Sequence, residues 1–327
     1  MKSFAQRGIG ALIVVVSLAP GIARAEEPAA LEATRAAATQ PTEAPAARPP
    51  APYSLPWQLR PAAAVSVVRW DTSSAHSTPT ANAEADTLAS TLLVARKVTP
   101  TLAPLLRLGV IHNAPASGSS GTSFANPVVG AIWAPKLEAL GPDLRFSTFL
   151  GVALPLGMGG GDAPDAAESG AMKAAITTRA ALDNAMFAAN YLTVFPGADL
   201  AYVKGGFTAQ VEVTVLELIR ARGSKVEKDE ARTNLTSGLH LGYFVVPELS
   251  FGAELRYQRW LSTPFAVGAD TTGATRDNLS AALGARFHIP VADKVFLRPG
   301  IAYVRGIDDP MDAQGYQIIQ LDVPLVF

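Results

Sequence analysis

Hydrophobic and polar residues alternate with a period of two in many segments of this chain. Successive side chains leave opposite faces of a β-strand, so this period predicts strands with one apolar and one more polar face. Residues 316–327, YQIIQLDVPLVF, are the clearest case, with Leu321 on the apolar face and Asp322 on the other. The segments that we predict as strands are 55–70, 87–99, 101–113, 123–136, 143–157, 191–204, 206–221, 232–246, 249–262, 277–291, 295–307 and 316–327.

The connections between the predicted strands alternate in length. The shorter ones lie at 99–100, 136–143, 204–206, 246–248 and 292–294. The longer ones are polar and lie at 71–86, 113–123, 158–190, 222–231, 262–277 and 308–315. Short periplasmic turns that alternate with longer extracellular loops are typical of outer-membrane barrels, whose strand number is even in bacteria. The pattern therefore predicts an all-β fold, an antiparallel transmembrane β-barrel of about 12 strands with both termini on the periplasmic side.

The longest loop, 158–190, contains a predicted helical insertion. It begins with glycines and continues as an alanine-rich stretch in which Met172, Ile176 and Arg179 recur at helical spacing. Asp165 or Ser169 is the expected N-terminal cap. The helix either folds into the lumen as a plug, packs over the mouth, or lies on the surface without a role in gating. No G-x-x-x-x-G-K-[ST] pattern follows the glycines, so nucleotide binding is not predicted.

The amino terminus has the three parts of a secretory signal peptide. A basic start with Lys2 and Arg7 precedes the short apolar run 9–20, and Ala23-Arg24-Ala25 is a small-x-small cleavage site. The apolar run is too short to cross ~30 Å of hydrocarbon as a helix. We therefore predict a signal peptide over 1–25, cleaved near Ala25, instead of a membrane anchor.

The residues after the cleavage site change in composition before the first predicted strand. Residues 26–52 are mostly Ala, Pro, Glu, Thr and Arg, including the run PTEAPAARPPAP. Such a segment buries little apolar surface and is predicted to be a disordered periplasmic tail. The outer-membrane β-barrel then comprises 53–327.

Composition and charge limit the possible functions. The chain has no cysteine, which excludes a disulfide-stapled scaffold and thiolate chemistry. Its 27 basic and 28 acidic residues become 24 and 28 once Lys2, Arg7 and Arg24 leave with the signal peptide, a net charge near −4. No nucleic-acid partner is expected at that charge. No uncleaved stretch reaches the ~18 apolar residues of a membrane helix, so the chain spans a membrane only as a closed barrel.

The apolar faces carry aromatic residues at the short-turn ends of the strands. Aromatic rings at one level of an outer face form an interface girdle among lipid headgroups. The predicted girdle residues are Trp57, Tyr202, Phe207, Tyr243, Phe251, Phe287 and Phe327.

The opposite faces carry charges of both signs and several glycines. An arginine at the midplane of hydrocarbon costs ~2–4 kcal/mol, so these charged residues are expected to face inward. The predicted lumen-lining residues, which would set selectivity, are Arg60, Arg107, Arg145, Asp199, Glu212, Arg220, Glu254, Arg256, Arg286, Arg298 and Asp322.

Two functions are compatible with such a lumen. In the first, the charges line a narrow aqueous passage, and the excess of arginine favours passive passage of small polar, anionic or aromatic solutes. In the second, the charges form a hydrogen-bonded lattice inside a non-conducting structural or adhesion barrel. Twelve strands lie between the ~8 of a filled barrel and the ~16–18 of a wide porin. The glycines leave space in the lumen and favour the passage.

A third hypothesis is an outer-membrane lipid hydrolase. Outer-membrane phospholipases are barrels of similar size that use His, Ser and Asn on the outer wall, and His112, Ser123 and Asn126 are the candidate trio here. Such a site is defined by geometry and no local motif marks it, so no catalytic residue is predicted. The acidic loop residues are interpreted as solvated, so we predict neither a metal site nor a cofactor.

Two stretches resemble a family of transporter-like outer-membrane proteins. The run LRFSTFLGVALPLG at 144–157, the strand GAELRYQR at 252–259, the strand count and the terminal Phe327 are similar to the phenol-degradation MetA-pathway family. The resemblance implies movement of hydrophobic or aromatic compounds across the outer membrane of a Gram-negative bacterium. For the predicted outer-membrane barrel we expect three kinds of partner: outer-membrane lipids with lipopolysaccharide, the barrel-assembly machinery acting on the C-terminal strand, and small solutes.

Overall fold

The computed structural model of the protein describes residues 52–80, 83–225 and 229–327. The predicted signal peptide and nearly all of the predicted tail lie outside the described residues. The strands are β1 (Val67–Thr80), β2 (Ala83–Ala95), β3 (Leu102–Ala114), β4 (Gly121–Phe124), β5 (Val128–Trp133), β6 (Leu144–Ala153), β7 (Tyr191–Lys204), β8 (Phe207–Arg220), β9 (Ala231–Val246), β10 (Leu249–Trp260), β11 (Asp277–Phe287), β12 (Ile289–Ala292), β13 (Val295–Leu297), β14 (Gly300–Gly306) and β15 (Gln317–Val326).

These fifteen segments form twelve wall strands. β4 and β5 both pair with β3, and β11–β12 and β13–β14 are each one strand interrupted by a few residues. All neighbours are antiparallel, and β1 pairs with β15 from Val67↔Val326 to His76↔Gln317. This last pairing closes the sheet on itself. The predicted antiparallel barrel of twelve strands is confirmed.

The two faces of the wall differ as in a barrel that is immersed in lipid. On β8, Val211, Val213 and Val215 are exposed, whereas the alternating residues Glu212 and Thr214 are buried. Exposed Val, Leu, Ile and aromatic side chains continue around the outer face on every long strand. A water-soluble monomer rarely exposes a continuous apolar surface of this extent, whereas hydrocarbon is a favourable solvent for it. The fold is a transmembrane β-barrel.

The first strand and the first loop were predicted incorrectly. Residues 55–66 are not part of the wall; β1 begins at Val67 and extends into the predicted loop 71–86 as far as Thr80, and β2 already begins at Ala83. The sequence DTSSAHSTPT is polar on both faces of the strand, so it lacks the alternation that indicated the other strands. Its hydrogen bonding to β2 and β15 nevertheless makes it a regular strand.

The helices lie in the connections. They are the 3₁₀ turn η1 (Glu138–Leu140), α1 (Ala166–Thr178), α2 (Asn184–Phe187) and α3 (Phe265–Ala269). In the described part of the chain, no helix has both the length and the apolar character needed to cross a membrane.

The alanine-rich insertion folds into the barrel. Asp165 caps α1 as predicted, since its Oδ1 accepts hydrogen bonds from the amides of Ala167 and Glu168 at 2.9 Å each. Burial increases toward the carboxyl end of α1, and Ala171 and Ala175 pack in one cluster with Ala89 and Ile111, which face inward on β2 and β3. Of the three positions predicted for this helix, the structure has the plug.

Candidate functional site

Two segments that do not belong to the wall occupy the lumen. The N-terminal segment, residues 52–66, enters from the short-turn end, where the amide of Ser54 donates to Thr208 Oγ1 at 3.0 Å. It turns back at the level of Gln58 and returns to the start of β1, where the amide of Phe327 donates to the carbonyl of Ser66 at 3.0 Å. The insertion, residues 154–190, enters from the long-loop end. The candidate site is the lumen at the level where these two segments meet.

Arg60 ties the N-terminal segment to β8. Its amide donates to Glu212 Oε2 at 2.6 Å, and its Nη2 lies 2.8 Å from Glu212 Oε1. The guanidinium also stacks 4.5 Å from the centroid of the Phe149 ring. Asp199 is paired directly with Glu212 across the β7–β8 ladder and accepts from Ser147 Oγ at 3.2 Å. Arg60 thus lies in the lumen as predicted, on the N-terminal segment instead of the wall.

Trp57 is in the lumen, so its assignment to the lipid-facing girdle is wrong. The side chain is only 1% exposed, and the Arg286 guanidinium carbon lies 4.4 Å from its ring centroid. The backbone amide of Trp57 donates to Glu254 Oε1, and its carbonyl accepts from Gln320 Nε2 at 3.2 Å and from Arg69 Nη2. The error arose because the face of residue 57 was read from a strand that does not exist there.

Several inward glycines provide room for the N-terminal segment. A Cβ on Gly300 would lie 2.5 Å from Trp57 Cζ3, one on Gly238 would lie 2.4 Å from Leu59 Cδ2, and one on Gly242 would lie 2.2 Å from Ser54 Oγ. The sequence predicted that these glycines leave space for solute. In this structure the same space holds the N-terminal segment.

Ion pairs within the wall surround the Trp57 position. Arg256 Nη2 lies 2.8 Å from Glu254 Oε2. Asp322 lies between two arginines, with Arg69 Nε at 2.8 Å and Arg286 Nη2 at 2.5 Å. Arg69 lies within the predicted strand 55–70 but was not predicted as a lumen residue, because the face assigned to Trp57 also placed position 69 on the outer side.

The insertion is anchored through Arg179 and Asp183. Arg179 is buried and binds both carboxylate oxygens of Asp71 on β1, with Nη2 2.8 Å from Oδ2. Its Nε also donates to Asp183 Oδ2 at 2.9 Å, and Arg107 Nη2 donates to the same oxygen at 2.8 Å. The predicted lumen residue Arg107 therefore holds the insertion. Asp71, which the sequence placed in a loop, is the wall partner of Arg179.

Gln58 connects the two segments. Its Nε2 donates to the carbonyl of Arg179 at 2.6 Å and to Asp183 Oδ2 at 3.3 Å. Two cavities of about 70 Å³ each adjoin this contact, and both are lined by Gln58, Arg60 and Arg107. Such volumes accommodate a few water molecules at most. The described residues therefore obstruct the lumen at this level.

The other predicted lumen residues lie away from the meeting point. Arg145, on the inward face of β6 near the short-turn end, has its guanidinium carbon 5.2 Å from the centroid of the Tyr53 ring. It lines a cavity of about 670 Å³ together with Lys97 and Lys136. Arg298 lies beside the Phe296 ring, and Arg220 is at the long-loop end of β8. The predicted charges form several local contacts, not one selectivity ring.

The remaining predicted girdle residues have large exposed fractions. They belong to strand ends or to the chain terminus at the short-turn end of the barrel: Tyr202, Phe207, Tyr243, Phe251, Phe287 and Phe327. Trp133, at the short-turn end of β5, is exposed as well and was not predicted.

The proposed hydrolase trio is not assembled. His112 is exposed, and its Nδ1 lies 2.9 Å from Thr122 Oγ1. Ser123 is fully buried on the opposite face of β4, and the side-chain amide of Asn126 donates to the carbonyl of Ala188 in the insertion at 2.8 Å. Successive residues of a strand face opposite ways, so Ser123 lies on the other side of the sheet from Thr122 and His112. It cannot approach His112 without a change of register.

The fold and the site define a transmembrane β-barrel whose lumen is filled from both ends. No family model and no curated protein matches the chain, so the resemblance to the MetA-pathway family is not confirmed. Among solved structures, an outer-membrane channel from Pseudomonas putida F1 aligns at 14% identity over 83% of this chain and 98% of that chain, with a TM-score of 0.49. The NanC porin aligns at 7% identity over 79% and 98%, with a TM-score of 0.44. The KdgM porin, solved with a disordered oligogalacturonate, aligns at 8% identity over 80% and 99%, with a TM-score of 0.44.

Proposed function

We propose that the protein is an outer-membrane channel for small solutes and that this structure is its closed state. The observation that supports this proposal is the independence of the wall from its contents. The barrel is closed by the β1–β15 ladder, whereas the N-terminal segment and the insertion contribute no strand to it. The N-terminal segment is held mainly by side-chain hydrogen bonds and ion pairs, and the insertion also by apolar packing and by backbone hydrogen bonds such as that from the amide of Asn126 to the carbonyl of Met186 at 2.8 Å. None of these contacts is part of the strand ladders, so each segment can leave the lumen while the sheet stays intact.

The charges of the wall favour anionic solutes once the two segments are displaced. Arg60 leaves with the N-terminal segment, and Arg179 and Asp183 leave together with the insertion. Eight arginines and five carboxylates then remain on the inward side of the described wall: Arg69, Arg107, Arg145, Arg220, Arg232, Arg256, Arg286, Arg298, Asp71, Asp199, Glu212, Glu254 and Asp322. Charged side chains that line a pore set its ion preference, and this excess is positive.

Uptake by proteoliposomes tests the proposal. Deletion of residues 26–60 removes the part of the N-terminal segment that contacts Glu212, Glu254 and the insertion. We expect this variant to take up a small anion such as lactate faster than the mature protein does, and faster than it takes up choline. A variant lacking only 26–51 retains the segment and is the matched control. A double variant that also replaces 163–187 of the insertion by a Gly-Ser linker removes both segments; if this variant folds as a barrel but admits neither solute, the channel is rejected.

The filled lumen favours a second candidate, a non-conducting structural or adhesion barrel. In that case the buried ion pairs only stabilise the interior, and deletion of the N-terminal segment reduces stability without creating a passage. Altered migration of the unboiled protein in detergent electrophoresis identifies a folded barrel. A folded variant that lacks both segments and remains impermeable would support this second candidate.

We further propose that the short-turn end faces the periplasm and that lipids and lipopolysaccharide surround the apolar wall. We also propose that the barrel-assembly machinery recognises β15. Membership of the MetA-pathway family is a further proposal. The positions of the six exposed aromatic residues at the short-turn end support the orientation.

A further inference from the structure

The wall around Trp57 has the features of a ligand site that the protein's own chain occupies. We propose that it is a binding subsite for an aromatic α-amino acid, which competes with residue 57 for the same position. The inference deepens the proposed function and rests on it in one respect, namely that the N-terminal segment can leave the lumen.

The first part of the site receives a flat ring. Trp57 lies against Gly284 and Gly300, where an added Cβ would come within 2.6 Å and 2.5 Å of the indole carbons. The Arg286 guanidinium covers the ring from 4.4 Å. A cation over an aromatic face is attracted by the ring quadrupole, and the attraction grows when water is excluded. The ring pocket is therefore bounded by two glycines, which have no side chains, and by the guanidinium group of Arg286.

The second part of the site binds the backbone of residue 57. Glu254 accepts the hydrogen bond of its amide, and the carbonyl accepts from Gln320 and Arg69. A free amino acid in this position presents an ammonium group to Glu254 and a carboxylate to Arg69 and Gln320. Hydrogen bonds between charged partners are stronger than those a peptide group makes. The arrangement therefore suits a zwitterion better than the neutral backbone that now occupies it.

All of the residues that make these contacts belong to the wall. Arg69 is on β1, Glu254 on β10, Arg286 on β11, Gly300 on β14 and Gln320 on β15. The site therefore remains when the N-terminal segment departs. The indole Nε1 of Trp57 is buried without a hydrogen-bond partner among the described residues. The ring pocket thus recognises a flat aromatic ring and gives no advantage to indole, so L-phenylalanine should bind as well as L-tryptophan.

Titration calorimetry of the 26–60 deletion variant in detergent tests this assignment. We expect L-tryptophan and L-phenylalanine to bind with comparable affinity. Tryptamine lacks the carboxylate and indole-3-propionate lacks the ammonium group, and each should bind at least tenfold more weakly. The mature protein should bind L-tryptophan more weakly than the deletion variant, because residue 57 competes. If L-tryptophan does not bind to a folded deletion variant, the proposal is wrong.

A pair of matched substitutions in the deletion variant locates the binding. Gly300→Leu fills the ring pocket and should abolish binding of L-tryptophan. Gly238→Leu fills the space of Leu59, outside the ring pocket, and should leave the affinity unchanged. Equal effects of the two substitutions would contradict the assigned position. Gly284 is less suitable for this test, because a Cβ there also meets the Ile301 carbonyl at 2.3 Å.

A second variant keeps the proposal testable if the deletion does not fold. Trp57→Gly in the full chain empties the ring pocket but leaves the backbone of residue 57 on Glu254, Gln320 and Arg69. This variant should bind indole and not L-tryptophan; failure to bind indole would overturn the ring pocket. Neither titration requires conduction, so binding by these variants would stand even if a barrel that lacks both segments proved impermeable, a result that would reject the channel alone. A permeable barrel that does not bind would reject the subsite alone.

Discussion

Single residues show which surface of the barrel meets lipid and which meets protein. Leu283 and Ala282 are neighbours on β11, yet Leu283 is 66% exposed and Ala282 is 1% exposed. Ala282 packs inside with Val304, Met311 and Ile318. From the sequence alone, an arginine at position 282 would be expected to face an open lumen. The packed interior makes position 282 unsuitable for a charge as well.

The lipid-facing position gives a prediction about stability. Leu283→Arg should lower the free energy of unfolding by ~2–4 kcal/mol, because it places a charge near the middle of the hydrocarbon. Val291→Arg is the matched control. Val291 is exposed on β12, past the aromatic residue Phe287 at the short-turn end, where the cost falls to about 0–1 kcal/mol. Urea titrations in lipid vesicles measure the free energy of unfolding of both variants. An equal decrease in the two variants would contradict the assignment of the outer face.

At the scale of elements, one buried ion-pair cluster anchors the insertion, in addition to apolar packing and backbone hydrogen bonds. Arg179→Met removes the cation between Asp71 and Asp183, and breaking a buried pair from one side costs ~3–5 kcal/mol. Asp183 keeps Arg107, but Asp71 loses its bidentate partner. We expect the insertion to leave its position, with the wall intact, so that protease cleaves within 163–190 in the folded barrel.

The control for this prediction is Lys173→Met, on the exposed side of α1. It should leave the insertion as resistant to protease as in the unmodified protein. If Arg179→Met is equally resistant, the cluster does not hold the insertion in the lumen.

The elements differ in how far the sequence predicted them. The paired strands from β6 to β10 and the closing strand β15 agree with their predicted positions to within a few residues, because one face of each is consistently apolar. The first strand was predicted too early in the sequence. In β1 the inward residues Asp71, Ser73 and Ser77 are polar, and the residues on the opposite face form no consistent apolar pattern. Residues 55–66 were taken for part of a strand because Leu55, Trp57 and Leu59 alternate with more polar residues, although Trp57 and Leu59 pack against inward glycines of the wall.

The contacts of the site could be predicted only in part. Parity along the strands indicated that Asp199, Glu212, Glu254, Arg256, Arg286 and Asp322 share the inner side of the barrel. Their partners could not be predicted, because Arg60, Trp57 and Arg179 reach them from segments whose path no periodicity encodes. The glycines carried a usable signal, since small residues on an inward face indicate that something approaches closely. The sequence does not specify whether a solute or another segment of the protein approaches these glycines.

At the scale of the whole molecule, the barrel combines a complete wall with two separable contents that meet at Gln58. The polar contacts of the N-terminal segment are mainly with β8, β10 and β15, whereas Arg179 and Asp183 of the insertion are bound by β1 and β3. These separate anchors imply that removal of one segment leaves the other in place and the lumen still narrowed. Full opening should require the loss of both.

Planar-bilayer recordings of three variants test this account most directly: deletion of 26–60, replacement of 163–187 by a short Gly-Ser linker, and both changes together. The replacement must extend to residue 187, so that Asp183 and α2 leave with the rest of the insertion. We predict that the double variant then forms stable open channels, with a conductance larger than that of either single variant and far larger than that of the mature protein. Heat-modifiable migration in detergent must first establish that each variant is a folded barrel. A folded double variant that remains electrically silent would contradict the claim that these two segments close a channel.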